Sequence, residues 1–226
     1  MKDFMPVSSI ATDYSVAAGH AMITEHYGNI CSAEKMPYIN DCDYPAAFYI
    51  LNHIYGGGLK MPAEWGVALP GDMMQFDQTE LIPSYSGSHS LDDIGFIYVP
   101  SGCKTTPGCK LHVVYHGCLQ GRHNLDAEYA VTTGYNEVGE DNNIIIVYPQ
   151  CETSLGNGNG CFDWWGYTDA SYDLKAGIQM QFSKNIIDRL VSEHHACSTI
   201  RSKMAQKPCL GASAPPPTPQ PTPVYC

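Results

Sequence analysis

The residues of this chain best suited to chemistry lie at 111–120, LHVVYHGCLQ. Residues 111–115 read as a strand, and His116-Gly117-Cys118 break it into a polar loop. A glycine just past a strand's carboxyl end lets the chain turn sharply, so that the next amide N–H points into a cleft. Such an amide suits the oxyanion of a tetrahedral intermediate, which makes acyl transfer to water the matching reaction class. The same residues also suit an ordinary strand-to-helix turn. A second signal is GCFDWWGY at 160–167. Adjacent Trp164 and Trp165 among glycines fit a cleft wall, and they also fit a core aromatic cluster. The third is Gly19-His20, with Thr24 and a Gly28-Asn29 turn nearby. His20 is a candidate base or an ordinary loop histidine. The other histidines show no metal-ligand spacing, and His194-His195 read as a solvated dipole cap at a helix end.

Several elements must position these residues. Residues 44–55 have helical apolar spacing and stop at Gly56-Gly57-Gly58. Residues 94–99, IGFIYV, predict a strand closed by Pro100, and residues 126–138 predict a helix. Residues 144–148, IIIVY, form a continuous apolar run, as expected of a strand buried on both faces. Residues 174–194 predict the longest amphipathic helix. Strands alternating with helices suggest an α/β sheet with parallel pairs.

The chain has 226 residues, enough for one domain with a sizeable core. It has no continuous apolar run of about 18 residues, so no membrane span is expected. A net charge of −11 argues against nucleic acid and anionic membrane surfaces as partners. The cysteines, at 31, 42, 103, 109, 118, 151, 161, 197, 209 and 226, contain no Cys-x-x-Cys spacing. They therefore read as disulfides of an oxidising, extracellular compartment and not as metal ligands. The close pairs Cys31/Cys42 and Cys103/Cys109 are the easiest local bridges, and the remaining pairings stay open. Residues 1–12 lack a basic segment followed by a long apolar stretch, so the expectation is a removed leader or a start partway through a longer protein. The folded domain is expected over 1–209, and the Pro/Thr-rich residues 210–226 read as an extended tail or linker.

Seven stretches in order, GHAMITEHYGNIC, PYINDCDYPAAFYILNHIYG, MQFDQTE, GFIYVPSGC, LHVVYHGCLQG, GYNEVGEDNNIIIVYPQ and NGCFDWWGYTDASYDLKAGIQM, resemble the polyhydroxybutyrate depolymerase family. These are secreted serine esterases of α/β-hydrolase fold. The resemblance is to the subgroup with a circularly permuted catalytic domain, and it runs from about Gly19 to Leu190. It implies a disulfide-stapled, α/β-hydrolase-like domain with a mostly parallel sheet flanked by helices. It implies His20 as the catalytic histidine and the Cys118 amide as an oxyanion donor. Trp164 or Trp165 would face the substrate, a neutral polyester or short-chain ester. No metal or organic cofactor is implied.

In the permuted family, a nucleophilic serine and an aspartate precede the histidine. Here 19 residues precede His20, and no Gly-x-Ser-x-Gly occurs anywhere. Ser86 in SYSGSHS is the nearest look-alike, in a loop between the wrong elements. The expectation is a chain N-terminally incomplete at the nucleophile strand, hydrolysing short-chain hydroxyalkanoate esters through a serine that these residues do not supply. A non-catalytic polymer-binding remnant and an esterase of feruloyl or acetylxylan type are the alternatives.

Overall fold

The computed structural model describes residues 6–105, 108–193 and 205–208. The predicted tail at 210–226, His194-His195 and Cys197, Cys209 and Cys226 lie outside the described residues.

A five-stranded sheet organises the core. Its strands are β4 (Asp72–Asp77), β5 (Ile94–Val99), β6 (Lys110–Val113), β7 (Ile144–Tyr148) and β8 (Ala205–Pro208), in the order β6-β7-β5-β4-β8. The apolar runs of β5 and β7 lie inside this sheet because both of their faces are covered. Ile97, Val99, Ile145 and Val147 face one side, where α5 (Ile178–Glu193) inserts Phe182, Ile186 and Leu190. Phe96, Tyr98, Ile144, Ile146 and Tyr148 face the other. There they meet α1 (Ala46–Ile54), α3 (Glu128–Thr132) and α4 (Tyr135–Asn142), with the short α2 (Arg122–Leu125) ahead of α3.

The sheet is mixed, where the sequence led us to expect mostly parallel pairing. Only β6 and β7 run parallel, while β4–β5, β5–β7 and β4–β8 are antiparallel. Parallel neighbours need a crossover connection, usually helical. The segment from β6 to β7 supplies one through α2, α3 and α4. Among the described residues, the connections at 78–93 and 100–109 hold only short 3-10 turns.

Three further differences have local causes. The helix predicted at 126–138 breaks into α3 and α4 at Gly134, whose φ of +85° no continuous helix accepts. Helix α5 begins at Ile178, not at residue 174, because 171–177 form backbone-bonded turns. A small parallel sheet that the sequence pattern did not reveal precedes α1. It consists of β1 (Met22–Thr24), β2 (Asn29–Ile30) and β3 (Ile39–Asp41), with β3 central. Its strands are too short to show a hydrophobic period. Side chains hold them instead: the Thr24 hydroxyl donates to the Tyr27 carbonyl at 2.6 Å. Asn40 Nδ2 donates to the Cys31 and Ala33 carbonyls at 2.9 and 2.8 Å.

The bridges Cys31–Cys42 and Cys103–Cys109 form as the spacing suggested, and a third joins Cys118 to Cys161. Among the described residues Cys151 has no disulfide partner, and its buried sulfur accepts from Gln179 Nε2 at 3.8 Å.

Candidate active site

The turn after β6 is fixed from several directions. Val114 continues the ladder by donating to the Val147 carbonyl at 2.8 Å. His116 follows and is buried. Its Nε2 accepts from the Cys151 N–H at 3.1 Å, which places the ring proton on Nδ1, 2.7 Å from the Gly117 carbonyl. Burial pushes its pKa down to about 4, so the imidazole is a neutral strut of the turn. The Gly117 N–H donates to Gln120 Oε1 at 2.8 Å, and the Leu119 N–H donates to the Asn159 carbonyl at 2.8 Å. Between these two occupied amides, no described residue accepts from the Cys118 N–H. Beyond the turn, Arg122 holds the buried Asp92 carboxylate through Nε and Nη2 at 3.0 and 2.7 Å. The turn is thus anchored at both ends.

His20 sits in an exposed loop two residues before β1. Gly19 is required there by close approach: a Cβ on it would lie 2.3 Å from the Ala33 carbonyl oxygen. The Gly19 N–H donates to the Cys31 carbonyl at 2.8 Å, and Cys31 is bridged to Cys42 at the end of β3. No described carboxylate bonds to the His20 imidazole.

The His20 loop and the Cys118 turn meet at one atom. The Tyr38 carbonyl accepts from the Met22 N–H at 2.9 Å and from Gln120 Nε2 at 2.8 Å. His20 lies two residues before the first donor, and Cys118 two residues before the second.

The tryptophan pair joins the same assembly. Cys161 is bridged to Cys118, and the next residue, Phe162, packs its ring against His116 and Tyr115 at 5.0 and 4.9 Å. Asp163 then organises the loop. Its carboxylate accepts from the N–H groups of Trp165, Gly166, Tyr167 and Thr168 and from the Thr168 hydroxyl. Partial burial alone would raise its pKa, but these bonds outweigh burial and hold it below the usual carboxylate range. Gln179 on α5 accepts from the Asp163 N–H at 2.7 Å and donates to the Tyr167 hydroxyl at 2.8 Å. Trp164 and Trp165 are 70% and 41% exposed, packed edge to face at 5.1 Å. They line the surface, so the core-cluster alternative does not hold.

The Cys118 turn is therefore joined to the Trp164-Trp165 loop by the Cys118–Cys161 bridge, and to the segment that follows His20 through Gln120 and the Tyr38 carbonyl. Ser86 is exposed and bonded to no described histidine. Sequence reasoning missed Gln120, Asp163 and the Cys118–Cys161 bridge. The signals available were the glutamine that closes HGCLQ, the aspartate ahead of Trp-Trp-Gly-Tyr-Thr, and a cysteine within each of the two motifs.

No protein-family model matches the chain. Two curated relatives do. A poly(3-hydroxybutyrate) depolymerase of Delftia acidovorans is 41% identical over 192 residues, covering 84% of this chain and 37% of the relative. A polyhydroxybutyrate depolymerase of Talaromyces funiculosus is 34% identical over 193 residues, covering 79% of this chain and 55% of the relative. The crystal structure of the PHB depolymerase from Penicillium funiculosum superposes with a TM-score of 0.75 at 31% identity, covering 84% of this chain and 63% of that one. A PHB depolymerase with a serine-to-alanine substitution, complexed with an R3HB trimer, superposes with a TM-score of 0.69 at 34% identity, covering 78% and 58%. The chain spans between about a third and two thirds of these proteins. Over that span it is similar in sequence to these polyhydroxybutyrate depolymerases and shares their α/β-hydrolase-type fold.

Proposed function

We propose that this chain forms the base, oxyanion and substrate-wall parts of an extracellular ester hydrolase. Its substrate would be poly(3-hydroxybutyrate) or a related short-chain 3-hydroxyalkanoate ester. The observation that carries the reading is the joint seating of three motifs distant in sequence: the His20 loop, the Cys118 turn and the Trp164-Trp165 loop. In this reading His20 takes the proton of a serine hydroxyl and returns it to the leaving alcohol. The Cys118 N–H, without an acceptor among the described residues, binds the oxyanion. The ester chain lies on the exposed indoles by apolar contact. His116 takes no proton, because both ring nitrogens are engaged and burial keeps it neutral. The three disulfides among the described residues support an oxidising setting. The relative complexed with an R3HB trimer supports the ester class.

The reading assigns no residue of this chain as nucleophile or orienting acid. The test is titration of the 226-residue chain with (R)-3-hydroxybutyrate trimer, followed by indole fluorescence and by NMR of the His20 imidazole and Cys118 amide. Saturable binding that moves all three signals is expected. Binding that leaves His20 and the Cys118 amide unmoved would refute the shared site. Tighter binding of feruloyl or acetylxylan esters would refute the substrate class. A fluorophosphonate probe is expected to label no serine stoichiometrically, and stoichiometric labelling of Ser86 would overturn the missing-nucleophile reading.

A further inference from the structure

We infer that Gln120 is a positioning residue that sets the separation between the His20 loop and the Cys118 amide. This rests on the reading of those two groups as base and oxyanion donor. Gln120 is 6% exposed, and its carboxamide is used at both ends. Oε1 accepts from the Gly117 N–H at 2.8 Å, one residue before Cys118. Nε2 donates to the Tyr38 and Pro37 carbonyls at 2.8 and 3.2 Å. The Tyr38 carbonyl also seats β1 through the Met22 N–H at 2.9 Å. One side chain therefore spans the gap between two segments 82 residues apart.

The backbone on both sides of this brace is held in a demanding conformation. Tyr38 has φ of +56° and Leu119 has φ of +62°, the left-handed region that non-glycine residues occupy at a cost. Such residues persist where their surroundings over-determine them, and Gln120 bonds directly to Tyr38 and adjoins Leu119.

The chemistry of the brace is specific. It needs one acceptor facing an N–H and one donor facing two carbonyls. A carboxamide has both. An ionised carboxylate lacks the donor and sets its charge against the Pro37 and Tyr38 carbonyl oxygens. A protonated carboxylic acid restores the pattern, with one oxygen accepting and one hydroxyl donating. Gln120→Glu is therefore a pH-dependent break in the brace at almost constant volume.

The experiment compares the 226-residue chain with its Gln120→Ala and Gln120→Glu variants. It reads amide exchange at Gly117, the Cys118 amide shift and affinity for (R)-3-hydroxybutyrate trimer. Gln120→Ala is expected to exchange Gly117 about tenfold faster than wild type, corrected for intrinsic rate, across the pH range. Gln120→Glu is expected to resemble it at about pH 8 and to approach wild type at about pH 5, because burial raises the introduced carboxylate's pKa. Trimer affinity of Gln120→Glu is expected to fall about tenfold at the higher pH and to recover in step. A merely structural side chain would not tie affinity to protonation at this position. Recovery of Gly117 protection without recovery of affinity would overturn the positioning role, and no recovery of either would overturn the brace itself. If the trimer binds none of the three proteins while the Gly117 and Cys118 signals follow the expected pattern, the brace is supported and the ester-binding reading fails separately. Should Gln120→Ala fail to fold, the pH series on Gln120→Glu decides the matter alone.

Discussion

Replacing Cys118 and Cys161 together by serine removes the crosslink between the Cys118 turn and the tryptophan loop, and the separation of the two residues sets the size of the loss. The bridge closes 43 residues, against 11 for Cys31–Cys42 and 6 for Cys103–Cys109. In the chain-entropy model these loops are worth about 4, about 3 and about 2 kcal/mol, in that order. Among the described residues the other links between these two segments are few: the Leu119 N–H to the Asn159 carbonyl and the Phe162 ring against His116 and Tyr115. Urea denaturation of the Cys118→Ser/Cys161→Ser protein, with Cys31→Ser/Cys42→Ser as comparison, is expected to show the larger loss for the former. Indole emission of native Cys118→Ser/Cys161→Ser is expected to shift, because the Trp164-Trp165 loop loses its covalent tie. Equal losses in the two variants, with unchanged emission, would refute the view that this bridge seats the aromatic wall.

Three further outcomes follow from the same structure. Asp163→Asn is expected to destabilise the protein by about 1–2 kcal/mol near neutral pH, since the charge strengthens its hydrogen bonds. Because the folded-state pKa of Asp163 is depressed, that contribution is full above the unfolded carboxylate pKa and vanishes as pH falls through the folded one. Urea melts in acid are therefore expected to close the gap between the two proteins, and a gap constant with pH would contradict the assignment. For His116, whose pKa burial lowers from 6.5 to about 4, the unfolded chain binds the proton first. Stability is expected to fall as pH drops from about 6.5 to about 4, and NMR titration of its ring near pH 6.5 would show the strut reading to be wrong. In β6 the Lys110 and Val114 N–H groups point to β7, so those of Leu111 and Val113 point to the outer edge. Exchange at Val113 is expected to be much faster than at Ile146 in the sheet interior, and equal protection would mean that another chain covers this edge.

How much of this was legible in the sequence depends on where the stabilising contacts lie. Strands β5 and β7 could be read because burial on both faces makes every position apolar. The local disulfides could be read because short loops close at low entropic cost. Strand β4 was missed: DMMQFD alternates only weakly, with Met74 and Phe76 buried on one side. The small sheet could not be read, because Thr24 and Asn40 hold its strands by hydrogen bonds that leave no periodic trace. The pattern at 126–138 looked continuous because apolar spacing carried across Gly134, while the backbone at Gly134 turned left-handed. Alternating strands and helices over-predict parallel pairing, because among the described residues only the β6–β7 connection places helices between neighbouring strands.

The candidate site divides in the same way. Each of its three motifs was visible because it is written in adjacent residues: a Gly-His pair in a loop, a strand ending in His-Gly, and two tryptophans among glycines. What joins them was not visible, because a bond across 82 residues and a bridge across 43 leave no spacing rule. The same fact bears on function. His20 itself is held by no described partner, while the Cys118 turn and the Trp164-Trp165 loop are held by covalent and buried polar links. A base needs freedom to exchange a proton between nucleophile and leaving group, whereas an oxyanion donor acts only if it is already in place when charge develops. If the proposed roles hold, the bridge and the buried polar bonds fall on the part of the site whose chemistry depends on being fixed in advance.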